Sequence, residues 1–410
     1  MIAHLLFVLL MIGAVPSAKP AFRTTAEESG FKKTGRYEEV IRLCEAAEKL
    51  YPGRARCTEF GRTPEGRRMM VLSASEDGTL DPKTAHERAR PVVLLQGGIH
   101  AGEIDGKDAG FWFLRELLEG RALPGVLSHV TAVFVPVFNV DGHERFGAHN
   151  RPNQRGPEEM GWRTTSQNLN LNRDYAKAEA PEMIAMLNLL GAWDPILYID
   201  LHVTDGADFE HDVSVLIDPA EAGPEPLGSL AKKTRDDLLG LLKKRGHLPL
   251  GFYPSFEKDD DPRGGFAIGS APPRFCSAYW SLHNRMGMLV ETHSWKTYPV
   301  RVRATYDTLL AAFELAGQRA SEWVKTAALA DSNAKKLGGS EVPLAFDHTA
   351  HFQTIDFRGY AYQRTPSAIS GRMRTSYDPK RPEIWKVPLY DELKPVLTAR
   401  APLGGYLIPP

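Results

Sequence analysis

Cysteine is scarce: three in 410 residues, too few for a disulfide-dense scaffold or for a zinc site built from four thiolates. Charge of one sign is missing as well. Fifty basic side chains stand against fifty-one acidic ones, for a formal net charge of −1, a balance that gives no electrostatic footprint for nucleic acid. No apolar run reaches the roughly twenty residues that a membrane-spanning helix needs. Also lacking are a phosphate-cradling loop, a serine-nucleophile elbow, a dinucleotide fingerprint, an internal repeat and a low-complexity tract. What is present is an ordinary globular balance, 42% hydrophobic and 25% charged. That excludes a mostly disordered or fibrous chain and leaves function to be read from sites.

The N-terminus carries a short apolar run over residues 5–12, followed by Gly13-Ala14-Val15-Pro16-Ser17-Ala18. This reads as the h-region and cleavage zone of a secretory signal peptide over residues 1–18, although the preceding segment offers His4 and no Lys or Arg. The expected location is secreted or periplasmic. In an exported chain Cys44 and Cys57 can pair across a short loop and leave Cys276 over; three free thiols are the alternative.

From about residue 91 the pattern alternates between short apolar runs and helical stripes. Residues 92–96, 130–138, 196–201 and 286–290 read as strands, with a turn at Asn139-Val140-Asp141-Gly142. Helical spacing joins Ala109, Trp112, Phe113 and Leu117, then Met183, Met186, Leu187 and Leu190 after Pro181. It returns in Leu227, Leu230, Ala231, Thr234, Leu238, Leu241 and Leu242, and in a long last helix from Val302 through Phe313. Strands without polar alternation are buried on both faces. Interleaved with helices, they predict an α/β/α sandwich around a mixed, mostly parallel sheet, with one or two antiparallel edge strands from the region before residue 91, such as residues 69–73. A polar stretch over 332–341 reads as a linker, dividing a catalytic domain (19–330) from a small β-rich module (331–410). The apolar, strand-like end at Tyr406-Leu407-Ile408-Pro409-Pro410 points to a module that continues in a longer parent.

Four polar groups sit at the carboxyl ends of the expected strands, where open α/β sheets form ligand crevices. His100-Ala101-Gly102-Glu103 follows the strand at 92–96, and a His and a carboxylate on one short turn can face a single cation. His202 ends the strand of Tyr198-Ile199-Asp200-Leu201. Glu291 ends that of Leu289-Val290. A catalytic metal site uses three protein ligands and an open position, with a separate carboxylate as base. His100, Glu103, His202 and Glu291 supply that set.

With these residues in place, the sequence resembles the zinc carboxypeptidases of the carboxypeptidase A-like family, in a bacterial-type secreted form, over about residues 34–325. The resemblance implies that His100, Glu103 and His202 hold Zn2+ and that Glu291 is the general base for the attacking water. Val137-Phe138-Asn139-Val140-Asp141-Gly142 is similar to the family's Asn-x-Asp-Gly turn, and Gly61-Arg62-Thr63-Pro64-Glu65-Gly66-Arg67 to a stretch near the start of its catalytic domain. Asn172-Arg173 resembles the pair that grips the substrate's terminal carboxylate. For the arginine that polarises the scissile carbonyl, Arg163 matches the spacing of shorter bacterial members and Arg155 the longer animal-type spacing; Arg163 is the better fit. The family's Asp that supports a ligand histidine is here Asn170. No tyrosine stands in the zone Gly264-Gly265-Phe266-Ala267-Ile268-Gly269-Ser270, where the family has its active-site tyrosine, and Tyr279 reads as packed on a strand.

The implied activity is a metallocarboxypeptidase that releases C-terminal residues from peptides with a free C-terminus, without nucleic-acid partners. Two other readings share the ligand set. One is an aspartoacylase-like zinc amidohydrolase, which the long last helix and the extra module fit less well. The other is an inactive relative that binds peptide or metal, against which Glu291 argues. The run Lys258-Asp259-Asp260-Asp261 reads as a solvated loop.

Overall fold

The computed structural model describes residues 22–406; the expected signal peptide over 1–18 lies outside the described residues. Its strands are β1 (Ala55–Arg62), β2 (Arg68–Ala74), β3 (Val92–Gly97), β4 (Thr131–Val135), β5 (Leu197–Val203), β6 (Val213–Asp218), β7 (Pro249–Leu250), β8 (Phe266–Ala267), β9 (Met286–Thr292), β10 (Glu341–His348), β11 (Gln353–Pro366), β12 (Met373–Tyr390) and β13 (Leu393–Arg400). Its helices are α1 (Thr25–Glu28), α2 (Tyr37–Leu50), α3 (Pro82–Glu87), α4 (Asp105–Leu118), α5 (Val140–Glu144), α6 (Pro181–Trp193), α7 (Leu227–Lys244), α8 (Cys276–Ser281) and α9 (Tyr298–Ala334).

Eight strands make one sheet in the order β1-β2-β4-β3-β5-β9-β6-β7. Its centre, β4-β3-β5-β9, is parallel, and so is β6–β7; β1–β2, β2–β4 and β6–β9 are antiparallel. This is the mixed, mostly parallel α/β sheet that the pattern predicts. β3, β4 and β5 are buried along their whole length, as continuous apolar runs flanked by helices must be. α4, α7 and α9 pack on one another beside the sheet, and α8 packs on β5 and β9.

Two local expectations are corrected. The run at 130–138 is a strand only to Val135, since Pro136 has no N–H to continue the ladder. The expected turn at Asn139 is the start of α5, with the Asn139 side chain accepting from Gly142 N–H at 3.0 Å. Two antiparallel strands form the expected margin, and residues 69–73 are the inner one: β2 lies between β1 and β4, and β1 is outermost. Cys44 of α2 and Cys57 of β1 form a disulfide that ties the helix to this edge strand, while Cys276 is free and buried.

α9 runs on to Ala334, into the polar stretch that begins at Ser332. β10 and β13 pair with each other; β11 and β12 form a long hairpin whose base adds to β8 in parallel, Leu389 opposite Phe266. Phe209, Leu250, Phe266, Phe357, Trp385 and Leu389 form a second core at that junction. Lys258, Asp259 and Asp260 are exposed, as the solvated-loop reading expects, and Asp261 is half-buried. Asp260 accepts from Thr375 N–H at 2.9 Å, and Asp261 pairs with Arg364 at 2.7 Å, which docks the acidic run onto the hairpin.

Behind the sheet's ligand end, Asp105 at the start of α4 is paired with Arg301 of α9 at 2.9 Å, both of them buried. Asp105 also accepts from Thr292 Oγ1 at 2.8 Å, while Arg301 donates to the carbonyls of Lys296, Arg155 and Gly156. Removing one member leaves the other buried and unpaired. Asp105→Ala is therefore expected to destabilise the fold by about 3–5 kcal/mol, read as the shift in the denaturant midpoint. A loss below about 1 kcal/mol would show that solvent or a neighbour replaces the carboxylate.

Candidate metal centre

Three strand ends converge. β3 leaves the sheet through Gly97 and Gly98, and Gly98 has φ +62, a left-handed conformation that a side chain would strain. The turn that follows carries His100 and Glu103, closed by the Glu103 N–H on the His100 carbonyl at 2.8 Å. His202 sits near the end of β5, opposite Glu291 in the register of β9. His100 Nδ1 lies 3.0 Å from Glu103 Oε1, and His202 Nδ1 lies 3.0 Å from Glu103 Oε2. The donor atoms of the three residues all fall within 4.8 Å of one another, and all three side chains are buried.

The far side of each ring is held from outside. His100 Nε2 faces Asn170 Oδ1 at 3.2 Å, and His202 Nε2 faces Asp200 Oδ2 at 2.7 Å. Such partners fix ring orientation and leave the other nitrogen free to ligate. His100 Nδ1 is buried without a hydrogen-bond partner, an orphan that a bound cation would satisfy. Two imidazole nitrogens and one carboxylate around that point are a donor set suited to Zn2+. Asn170 thus occupies the supporting place that the sequence suggested for it.

Charge is concentrated here. Burial alone would raise the Glu103 carboxyl, yet Arg151 and the two histidines hold it well below the usual range. Burial would lower His202, but Asp200, with help from Cys276 and Glu103, holds it well above. Glu291 is pushed up to about 8 by burial, eased by His202 and reinforced by Glu103. Its Oε2 has no hydrogen-bond partner. A cation beside it would favour the charged form and bring it down.

Of the two candidate arginines, Arg163 reaches the cluster, with NH1 at 3.3 Å from Glu103. Gly161 makes this possible: a Cβ there would meet the Ala101 carbonyl at 2.7 Å, so only glycine lets the Arg163 loop lie against the His100 turn. Arg155 is excluded from the cluster. Its guanidinium lies over the Trp295 ring at 4.6 Å, and its backbone bonds to Ser294 and Arg301. Asn172 is buried with an unpartnered Oδ1, and Arg173 beside it is half-buried. The turn at Asp141 also has a visible task. Its buried carboxylate accepts from Thr63, Arg67 and Ser166 at 2.7–2.9 Å, tying the stretch Gly61–Arg67 to the site's floor.

Three residues at the site escaped the sequence reading. Arg151 reaches Glu103 at 2.9 Å; as a loop arginine in no recognisable spacing it left no signal. Tyr253, in the loop between β7 and β8, has its phenol raised by burial and then by the charges of Glu291, Asp205 and Glu103. It stands far upstream of the zone searched for a tyrosine. Tyr279 instead packs on Tyr175 and His283. The third is Cys276, whose thiol lies against Asp200 and His202 behind the cluster. His143, His211 and His293 are engaged elsewhere, His293 by stacking on Phe209 at 3.9 Å.

An α/β sheet with a buried His-Glu-His cluster at its carboxyl edge is an arrangement that could hold a metal ion. Residues 40–207 match the family model described as zinc carboxypeptidase, and the resemblance read from the motifs holds. Carboxypeptidase A6 of Mus musculus is 28% identical over 133 residues, 32% of this chain and 28% of the relative. Carboxypeptidase D of Homo sapiens is 29% identical over 214 residues, 43% of this chain and 15% of the relative. The chain thus spans less than a third of the length of either. The crystal structure of thrombin activatable fibrinolysis inhibitor shares the fold, with TM-score 0.51, 16% identity, and coverage of 75% of this chain and 78% of that one. No described helix is long and apolar enough to cross a membrane.

Proposed function

We propose that this chain is a zinc-dependent metallocarboxypeptidase that removes C-terminal residues from peptides. The observation that carries the reading is the convergence of His100 Nδ1, His202 Nδ1 and the Glu103 carboxylate, with Glu291 beside His202 on the next strand. In this reading His100, Glu103 and His202 hold Zn2+. The ion supplies Lewis acidity toward a water molecule and the scissile carbonyl. Glu291 accepts the proton of the attacking water and passes it to the leaving amine, a task suited to a carboxylate whose buried setting raises its proton affinity. Arg163 stabilises the developing oxyanion, with Arg151 holding Glu103 in place. Asn172 and Arg173 grip the terminal carboxylate, for which a guanidinium offers a bidentate pair.

The reading extends to the whole chain: a signal peptide over 1–18, a catalytic domain over 19–330 and a β-rich module over 331–410. A secreted or periplasmic location fits the Cys44–Cys57 disulfide, since such bonds persist in oxidising compartments.

Carboxylate recognition gives a direct test. Losing a charge-assisted pair costs about 1.5–3 kcal/mol, so Arg173→Ala is expected to raise KM for peptides with a free C-terminus by roughly tenfold or more, with a smaller change in kcat. An unchanged KM in steady-state assays would take Arg173 out of substrate binding.

A further inference from the structure

The Arg173 guanidinium lies 4.2 Å from the centroid of the Phe275 ring, and that of Arg274 lies 5.3 Å from the same centroid. Two cations therefore share one aromatic ring. Neither forms an ion pair among the described residues; the Arg173 guanidinium donates to the carbonyl of Asn172 at 2.6 Å. The positive charge of Arg163 also acts on Arg173, and Arg163 itself sits 3.3 Å from Glu103. The arginine group thus runs from the metal cluster outward to Phe275. Arg163 has its counter-charge in Glu103, but Arg173 and Arg274 have none among the described residues, and paired like charges of this kind raise the local potential and draw anions. Asp260 and Asp261, acids that would favour a basic side chain, are engaged by Thr375 and Arg364 of the β11–β12 hairpin.

A terminal residue with one carboxylate would neutralise Arg173 and leave Arg274 uncompensated. We infer that the site takes peptides whose terminal residue is acidic, with the terminal carboxylate on Asn172 and Arg173 and the side-chain carboxylate on Arg274. This rests on the carboxypeptidase reading and names its substrate class. Both guanidiniums lie within 5.3 Å of one ring centroid, close enough together to meet two carboxylates of a single residue. A terminal Lys or Arg would bring a further cation to this group and be disfavoured.

The test uses N-acylated dipeptides ending in Glu, Gln, Phe or Lys, with kcat/KM measured on the zinc-loaded protein. Glutamine matches glutamate in size and lacks only the charge. The Glu peptide is expected to exceed the Gln peptide by roughly tenfold or more, the fold-change of one charge-assisted pair. Arg274→Gln should bring that ratio close to unity, and Arg274→Lys should keep part of it. Equal cleavage of the Glu and Gln peptides by the unaltered protein would overturn the inference, as would a ratio that survives Arg274→Gln. Release of Phe with no preference for Glu refutes the acidic subsite and leaves the carboxypeptidase reading standing. Release from no member of the panel refutes that reading and the subsite together.

Discussion

His202→Ala is expected to deprive the purified protein of stoichiometric zinc and of its peptidase activity together. His202 is held on both sides, with Asp200 behind it at 2.7 Å and Glu103 before it at 3.0 Å. Loss of an outer partner alone typically weakens a metal site by about 10–100-fold. Loss of the ligand itself leaves two protein donors and should exceed that. Metal analysis of dialysed protein gives the answer, with circular dichroism to verify folding. A folded variant that keeps zinc one-to-one would remove His202 from the ligand set. Asn170→Ala is the graded companion: it takes the acceptor from His100 Nε2 without touching a proposed ligand.

The second large effect belongs to Glu291. Gln in its place keeps the size and cannot accept a proton, and general-base catalysis is worth about 10²–10⁴-fold. Turnover should fall by at least the lower bound while zinc content is unchanged. Loss of zinc would make Glu291 a ligand. Unchanged turnover would remove it from the chemistry, and no turnover in the unaltered protein would favour the reading of an inactive, peptide-binding relative.

The central strands were legible because burial on both faces writes itself as continuous apolar runs, as in Val92-Val93-Leu94-Leu95. The candidate site residues followed from them, since His202 and Glu291 end such runs and His100 lies just beyond one. What escaped depends on packing between distant segments. Which of the two antiparallel strands at this margin is outermost is set by the pairing of β2 with β4. The contacts that Asp260 and Asp261 make with the β11–β12 hairpin join segments over a hundred residues apart. Arg151 and Tyr253 lie on loops, where neither apolar period nor strand end marks a side chain's direction. Arg155 and Arg163 were separable only in space, by Gly161 on one side and Trp295 on the other.

The central claim is exopeptidase chemistry at a zinc centre. The most direct measurement incubates the zinc-loaded protein with an equimolar pair of peptides, one with a free C-terminus and one amidated, and follows the products by mass spectrometry before and after chelation. The account predicts that only the free-acid peptide is shortened, from its C-terminus one residue at a time, and that chelation stops this until zinc is restored. Equal cleavage of the amidated peptide, internal cuts, or hydrolysis undiminished by metal removal would contradict it.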